Sequence, residues 1–334
     1  MGSYGLSNKL TFYPSIPLYS YATGNLKVFS NNANSVDDIT ATSMITLEPS
    51  KWHKLNVQSG EYLEYRDRLD RQSDFFMVLG HDFEYTNQSL SLQLDGSSVS
   101  TTTIVNDCLN NTPSYNGWSL SSLNMEGIDR KKIIFDSTTE QIRVGSILYG
   151  KSWTAPINVN LGQSYSVNYN SKQQKTVSGK TLSTLNYDKV QNWGNLPAWE
   201  LLAEADNTDL YQFGYQDYLG NQRTGVRSWN VNFSMLNDSD ILSQNQMVTS
   251  NGWTQDSADN YYTSNNESTY NNQNSNDFMT SVYKYTMGSH LPVVVNISDS
   301  KNADQWAIVR ITKMTMKESS PKFIDISMTL EEQV

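Results

Sequence analysis

The stretch KKIIFDSTTEQIRVGSILYGKSWTAP, Lys131–Pro156, decides how the chain is divided. It carries two strand-like runs. Ile133, Ile134 and Phe135 form the first. In the second, Ile142, Val144 and Leu148 alternate with Arg143, Gly145, Ile147 and Tyr149. Period-two alternation marks a strand with two unlike faces. Gly150 and Pro156 then interrupt the pattern, with Trp153 between them. We read the stretch as the closing strands of a first domain, residues 1–155, and the joint to a second, residues 156–334.

Composition agrees with a chain built from strands. Only 17% of its 334 residues are charged, and mean hydropathy is −0.56, so much of the polarity is Ser, Thr, Asn and Gln. Neutral polar residues combined with 20 Tyr and 8 Trp suit strands and hydrated loops better than helices. The net charge of −10 argues against non-specific nucleic-acid binding, which needs a basic surface. No apolar run is long enough for a membrane span. The N-terminus has no basic-then-apolar signal segment, and the single cysteine, Cys108, cannot form an internal disulfide. Synthesis in a host cytoplasm, without secretion, is the expectation.

Upstream of the joint, the first 35 residues read as extended and turn-rich, and Leu26–Phe29 and Met44–Leu47 as short strands. Tyr62–Asp70 is charged and fits a strand or a helical turn. Phe75–Phe83 is a short apolar run stopped at Gly80, as in a strand buried on both faces. Leu90, Leu92 and Leu94 alternate with Ser91 and Gln93 before the turn signal Asp95-Gly96. Residues 97–122 read as loop, with one strand at Thr103–Val105. Many short strands separated by turns predict a β-sandwich.

FFMVLGHDFEYTNQSLSLQLDG, followed by KKIIFDSTTEQIRVGSILYGKSWTAP, resembles the jelly-roll modules of phage tail proteins. The layout is an apolar strand ending in Gly-His, an alternating strand, and a later strand with a Gly-basic exit. It is also similar to discoidin-like carbohydrate-binding sandwiches.

Downstream, Tyr165, Val167 and Tyr169 alternate, and Ser178-Gly179 marks the turn of a long hairpin. Asn195–Glu204 reads as a short helix with Asn195 as cap and Pro197 in its first turn. Trp229, Val231, Phe233 and Met235 alternate as a strand. Residues 237–277 are rich in Asn, Ser and Tyr and read as a long surface loop; its functional reading is a contact segment that orders on assembly. Phe278, Val282 and Tyr285 lie at helical spacing, opened by Asp277 and stopped by Gly288. Strands follow at Val293–Ile297, Trp306–Ile311 and Phe323–Leu330. The second domain is therefore expected to be α+β, a sheet with one or two helices. Its element order resembles the carboxy-terminal part of phage tail-tip proteins, the distal tail protein among them, and that resemblance implies ring formation.

No catalytic motif stands out. His53, His81 and His290 are far apart and lie in no metal-binding motif, so no metal or cofactor is expected. Gly145–Ser152, GSILYGKS, has the spacing of a phosphate-binding loop, but no helical pattern follows it, so it is discounted. With 34 acidic residues, pairs such as Asp136 with Glu140 or Glu331 with Glu332 carry no signal for glycoside cleavage. A sugar site would need an exposed ring with amide partners, and Tyr115, Asn116 and Trp118 are the candidates; the competing reading makes Trp118 a plug for the end of the sandwich. Arg143, Lys151 and Trp153 are expected at an inter-domain or inter-subunit contact.

The expectation is thus a mainly β, non-enzymatic virion protein of a phage tail tip or baseplate. It would be a homo-oligomer that links tail tube, hub or fibres, or faces a host glycan. The alternatives are a carbohydrate-binding protein and, behind it, a glycan-degrading enzyme.

Overall fold

The computed structural model describes residues 9–30, 42–48, 53–55, 62–67, 73–81, 90–94, 102–104, 118–125, 130–135, 142–160, 164–168, 171–185, 226–242, 277–297 and 306–333. In chain order the first elements are β1 (Thr11–Tyr13), α1 (Ile16–Ala22), β2 (Leu26–Ser30), β3 (His53–Leu55), β4 (Tyr62–Asp67) and β5 (Ser73–Leu79). Next come β6 (Leu90–Leu94), β7 (Thr102–Ile104), β8 (Trp118–Met125), β9 (Arg130–Phe135), β10 (Ile142–Val144), β11 (Ser146–Gly150) and β12 (Trp153–Thr154). The remainder are β13 (Ser164–Asn168), β14 (Ser171–Lys175), β15 (Thr181–Leu185), β16 (Val226–Asn237), α2 (Asp238–Ile241), a π-helical turn at Met279–Tyr283, β17 (Val293–Asn296), β18 (Trp306–Ser320) and β19 (Phe323–Glu332). The fold is mainly antiparallel β, as composition and alternation predict.

Three sheets stack through apolar layers. A five-stranded sheet, β2-β4-β9-β6-β7, faces a three-stranded sheet, β11-β5-β8. Leu63, Tyr65 and Ile133 from the first meet Phe76, Val78, Ile147 and Tyr149 from the second, which makes the β-sandwich. The other face of the three-stranded sheet presents Phe75, Met77, Leu79 and Leu148 to Val294, Trp306 and Ile308. Those last residues belong to a seven-stranded sheet, β12-β1-β17-β18-β19-β16-β13. Its far face is covered by a third layer, in which Phe278, Val282 and Ile241 lie on Val231, Phe233, Val295, Ile326 and Leu330.

β5 and β11 of the middle sheet are therefore buried on both sides, and their sequence shows it. Phe75–Leu79 has no polar residue, and all of Ser146–Gly150 is buried. The expectation of two unlike faces at Ile142–Tyr149 gives way here. The strand breaks at Gly145, Ile147 and Tyr149 enter the sandwich core, and Leu148 enters the layer against the larger sheet.

The sandwich is threaded into the larger sheet through adjacent strands. β1 pairs with β12 (Thr11↔Thr154, Phe12↔Trp153) and on its other side with β17 (Phe12↔Val295). β1, from the start of residues 1–155, thus lies between β12, from their end, and β17, from residues 156–334. Beyond β13, β14 and β15 pair only with each other among the described strands, turning at Ser178-Gly179 with Gly179 at φ +80°. The Val177 side chain at this turn is fully exposed.

Four local readings are corrected. Ile16–Ala22 is a helix, because the Ser15 hydroxyl accepts the Leu18 N–H at 3.3 Å and Pro17 sits in the first turn. Met44–Leu47 is a buried turn rather than a strand, closed by Ile45 N–H to Thr42 O and Thr46 N–H to Ser43 O. Trp118–Met125 is a strand opposite β5, where a loop was expected. Met235 leaves the inward row of β16. A register shift between Phe233 and Leu236 places it at φ 60°, 61% exposed, and Leu236 takes the buried position. The helix expected at Asn195–Glu204 and most of the 237–277 segment lie outside the described residues.

A buried ion pair ties β16 to β19 within the larger sheet. Arg227 and Glu332 are almost fully buried, with Arg227 Nη2 at 2.6 Å and Nε at 3.0 Å from Glu332 Oε1. The Arg227 backbone N–H donates to Oε2 at 3.0 Å, and Nη2 also donates to the Trp306 carbonyl at 2.8 Å. Both residues occupy inward positions of their strands, in line with Trp229 and Leu330. Removing one charge strands the other in a low-dielectric layer. Arg227→Met is expected to cost about 3–5 kcal/mol in urea denaturation, and Arg227→Met with Glu332→Leu to recover most of that loss. Equal losses in the single and double variants would contradict this assignment.

Candidate functional site

Two places bring chemically distinctive side chains together. The first is the seam where the sandwich joins the larger sheet. Gly150 ends β11 against Pro14, and a Cβ built there would lie 2.2 Å from the Pro14 carbonyl oxygen. The next residues are held from the sandwich side. Asp74 accepts the Ser152 N–H at 2.7 Å and the Ser152 hydroxyl at 3.0 Å. Gly150-Lys151-Ser152 therefore serves a close backbone crossing, and its hydroxyl and amide are engaged by a carboxylate. Trp153 follows, 5% exposed, packed against Phe12 and Phe278 with ring centroids 6.2 and 5.0 Å apart.

Lys151 is half-buried between carboxylates from both sides of the seam. Burial lowers its pKa, while Asp74 and Asp277 act to raise it. Burial raises that of Asp74, against the lowering pull of the Ser152 groups and Lys151. Asp277 is buried and caps the π-helical turn, accepting the Thr280 N–H at 2.8 Å. Arg143, by contrast, lies in the small β10–β3 ladder opposite Lys54.

The second place is the outward face of the five-stranded sheet. Register puts Lys27, Arg66 and Arg130 in one row, and Phe29, Glu64, Lys132 and Gln93 in the next. The intervening positions, Leu63, Tyr65, Lys131 and Ile133, are buried on the sandwich side. On the outward side the Arg66 guanidinium lies over the Phe29 ring at 4.2 Å and pairs with Glu64. The Lys132 ammonium lies over the Tyr62 ring at 3.6 Å. Lys131, of opposite parity, points inward over Tyr149 at 4.7 Å.

The candidate glycan loop is not the part the structure describes. Tyr115 and Asn116 lie outside the described residues. Trp118 begins β8, its backbone opposite Leu79. The histidines are dispersed: His53 Nε2 is 2.7 Å from Ser43 Oγ, His81 is fully buried with Nε2 2.6 Å from Ser119 Oγ, and His290 is exposed. Among the described residues no group of His, Cys, Asp and Glu could hold a metal ion. The outward cation row is not legible from any single strand. Its signal was present in RKKIIF and YLEYRD, where charges fall on alternate positions of two strands, but only pairing brings them side by side.

No family model and no curated protein matches this sequence. Among solved structures, the CBM32 module of AlyQ in complex with 4,5-unsaturated mannuronic acid is similar over 41% of this chain and 96% of that one, with 11% identity and a TM-score of 0.28. CBM32-1 from a family 31 glycoside hydrolase of Clostridium perfringens is similar over 37% and 93%, with 5% identity and a TM-score of 0.28. A pectin-binding carbohydrate-binding module is similar over 37% and 88%, with 8% identity and a TM-score of 0.26.

The seam makes a pH prediction. The Asp74 pKa is raised in the fold, so its contribution to stability is present below the ordinary carboxylate range and lost as pH rises through the folded-state value. Lowering the pH from about 7 to about 4 is therefore expected to stabilise the native chain relative to Asp74→Asn, read by urea denaturation. A stability difference that does not change with pH would contradict the burial of this carboxyl.

Proposed function

We propose that the chain is a non-catalytic adaptor of the phage tail-tip or baseplate kind. Its larger sheet builds the assembly, and its sandwich is carried outward to meet a fibre or a host surface. The observation that carries this reading is the threading of the sandwich through β1 and β12 into the seven-stranded sheet. A module inserted between adjacent strands is anchored at two points and cemented by an apolar layer, so it is held in a fixed orientation. The β14–β15 hairpin supports the assembly half of the reading. It extends from the end strand of that sheet, and its tip residue Val177 is exposed. An exposed hairpin offers backbone donors and acceptors to a neighbouring subunit.

Carbohydrate binding by the sandwich is the second reading. It is favoured by one observation, the outward sheet face that combines Phe29 and Tyr62 with charged neighbours.

The adaptor reading predicts a closed homo-oligomer. Light scattering after gel filtration is expected to give a mass several times 37.8 kDa and negative-stain images to show rings. Replacing residues 172–184 by a short turn is expected to shift the mass toward the monomer while leaving the thermal midpoint nearly unchanged. A chain that stays monomeric at every concentration, with or without the hairpin, would contradict the assembly role.

A further inference from the structure

We infer that the outward face of the five-stranded sheet is a binding site for an acidic polysaccharide, a sugar chain carrying carboxylate or phosphate groups. The inference rests on the sandwich being a binding module and goes further by naming the face and the ligand charge. Three facts carry it.

The first is charge. Lys27, Arg66 and Arg130 stand directly opposite one another on adjacent strands, and Lys132 lies in the next row. Like charges at opposed positions of neighbouring strands repel; Glu64 and the Phe29 ring offset part of this at Arg66, while Lys27 is exposed. Glu64 is the one carboxylate among these outward positions of β2, β4 and β9, whereas the chain as a whole has a net charge of −10. The face inverts the charge of the molecule that carries it.

The second is the use of the aromatic rings. Neutral sugars bind by laying an apolar face on an exposed ring. Here Arg66 and Lys132 already lie over Phe29 and Tyr62. The rings lie under the charged groups themselves and hold them in place on this face. Such a face recognises negative charge before it recognises a sugar ring.

The third is shape and polarity. Adjacent strands lie about 4.8 Å apart, so the cation row spans roughly 10 Å of a sheet surface, wide enough for an extended polymer. The cores of protein–protein interfaces are depleted in charged residues, lysine among them. This face carries charge in both rows, and Phe29, at 38% exposure, is its one exposed large apolar side chain among the described residues. A hydrated polyanion fits it better than a folded partner.

The test is affinity electrophoresis of the full chain through gels containing polygalacturonate or neutral dextran. Retardation by polygalacturonate, weakened by added salt, and none by dextran is the expected result. The Lys27→Glu/Lys132→Glu variant is expected to bind about tenfold more weakly, and Lys27→Gln/Lys132→Gln to fall between. Unchanged circular dichroism and thermal midpoint in the Gln variant guard against loss of fold. Retardation by polygalacturonate that is the same in all three proteins would overturn the site. Retardation by dextran alone would overturn the acidic ligand while leaving carbohydrate binding standing, and no retardation in either gel would overturn both. Self-association at low salt that the Glu variant abolishes would assign the face to a second copy of the chain and also overturn the proposal.

Discussion

The structure depends on one constraint: β5 and β11 of the three-stranded sheet are covered on both faces. Toward the sandwich they contribute Phe76, Val78, Ile147 and Tyr149; toward the larger sheet they contribute Phe75, Met77, Leu79 and Leu148. Fully burying a side chain of this size stabilises by roughly 1.5–3 kcal/mol, so neither half of the molecule can release this sheet without a large loss. The same constraint accounts for features that otherwise look unrelated. Gly150 is small because Pro14 crosses its backbone, Lys151 and Asp74 are charges caught at the edge of the layer, and Trp306 stacks on Tyr13 because the larger sheet must close the stack.

Doubly covered strands were only partly legible. A run such as Phe75–Leu79 announces burial on both faces, and that reading holds. SILYG was harder, because Ile147 and Tyr149 continue the parity of Arg143 and Gly145, which reads as the polar half of an alternating strand. Ser146 is buried with its hydroxyl donating to the Thr46 carbonyl at 2.6 Å. Trp118–Met125 was lost among Ser and Asn for the same reason: a short strand takes its identity from the partner it pairs with, and β5 is about forty residues away. Local chemistry was more reliable where capping or turn formation is decided within a few residues. The Ser178-Gly179 hairpin and the Asp277 and Gly288 ends of the helical segment were read from such signals, although that segment winds as a π-helical turn.

Residues at the seam and buried charges followed the same division. Lys151 and Trp153 could be singled out because they sit at a break in pattern. Glu332 was set aside as one acid among many, yet it shares the inward parity of Ile324, Ile326, Met328 and Leu330, and a charge at an inward position calls for a buried partner. The cation row on the sandwich needed register, which no single strand contains. The two surfaces also suit different tasks. The larger sheet continues through β13 into an exposed hairpin, while the sandwich presents a face with Lys27, Arg66 and Lys132 on the opposite side of the stack from that sheet. A shared middle layer fixes the orientation of one to the other.

Scanning calorimetry of the full chain tests this most directly. If the sandwich and the larger sheet share one apolar layer, they unfold together, in a single transition whose calorimetric and van't Hoff enthalpies agree. Two separate transitions, with the sandwich melting while the larger sheet stays folded, would contradict a common core and the fixed display that follows from it.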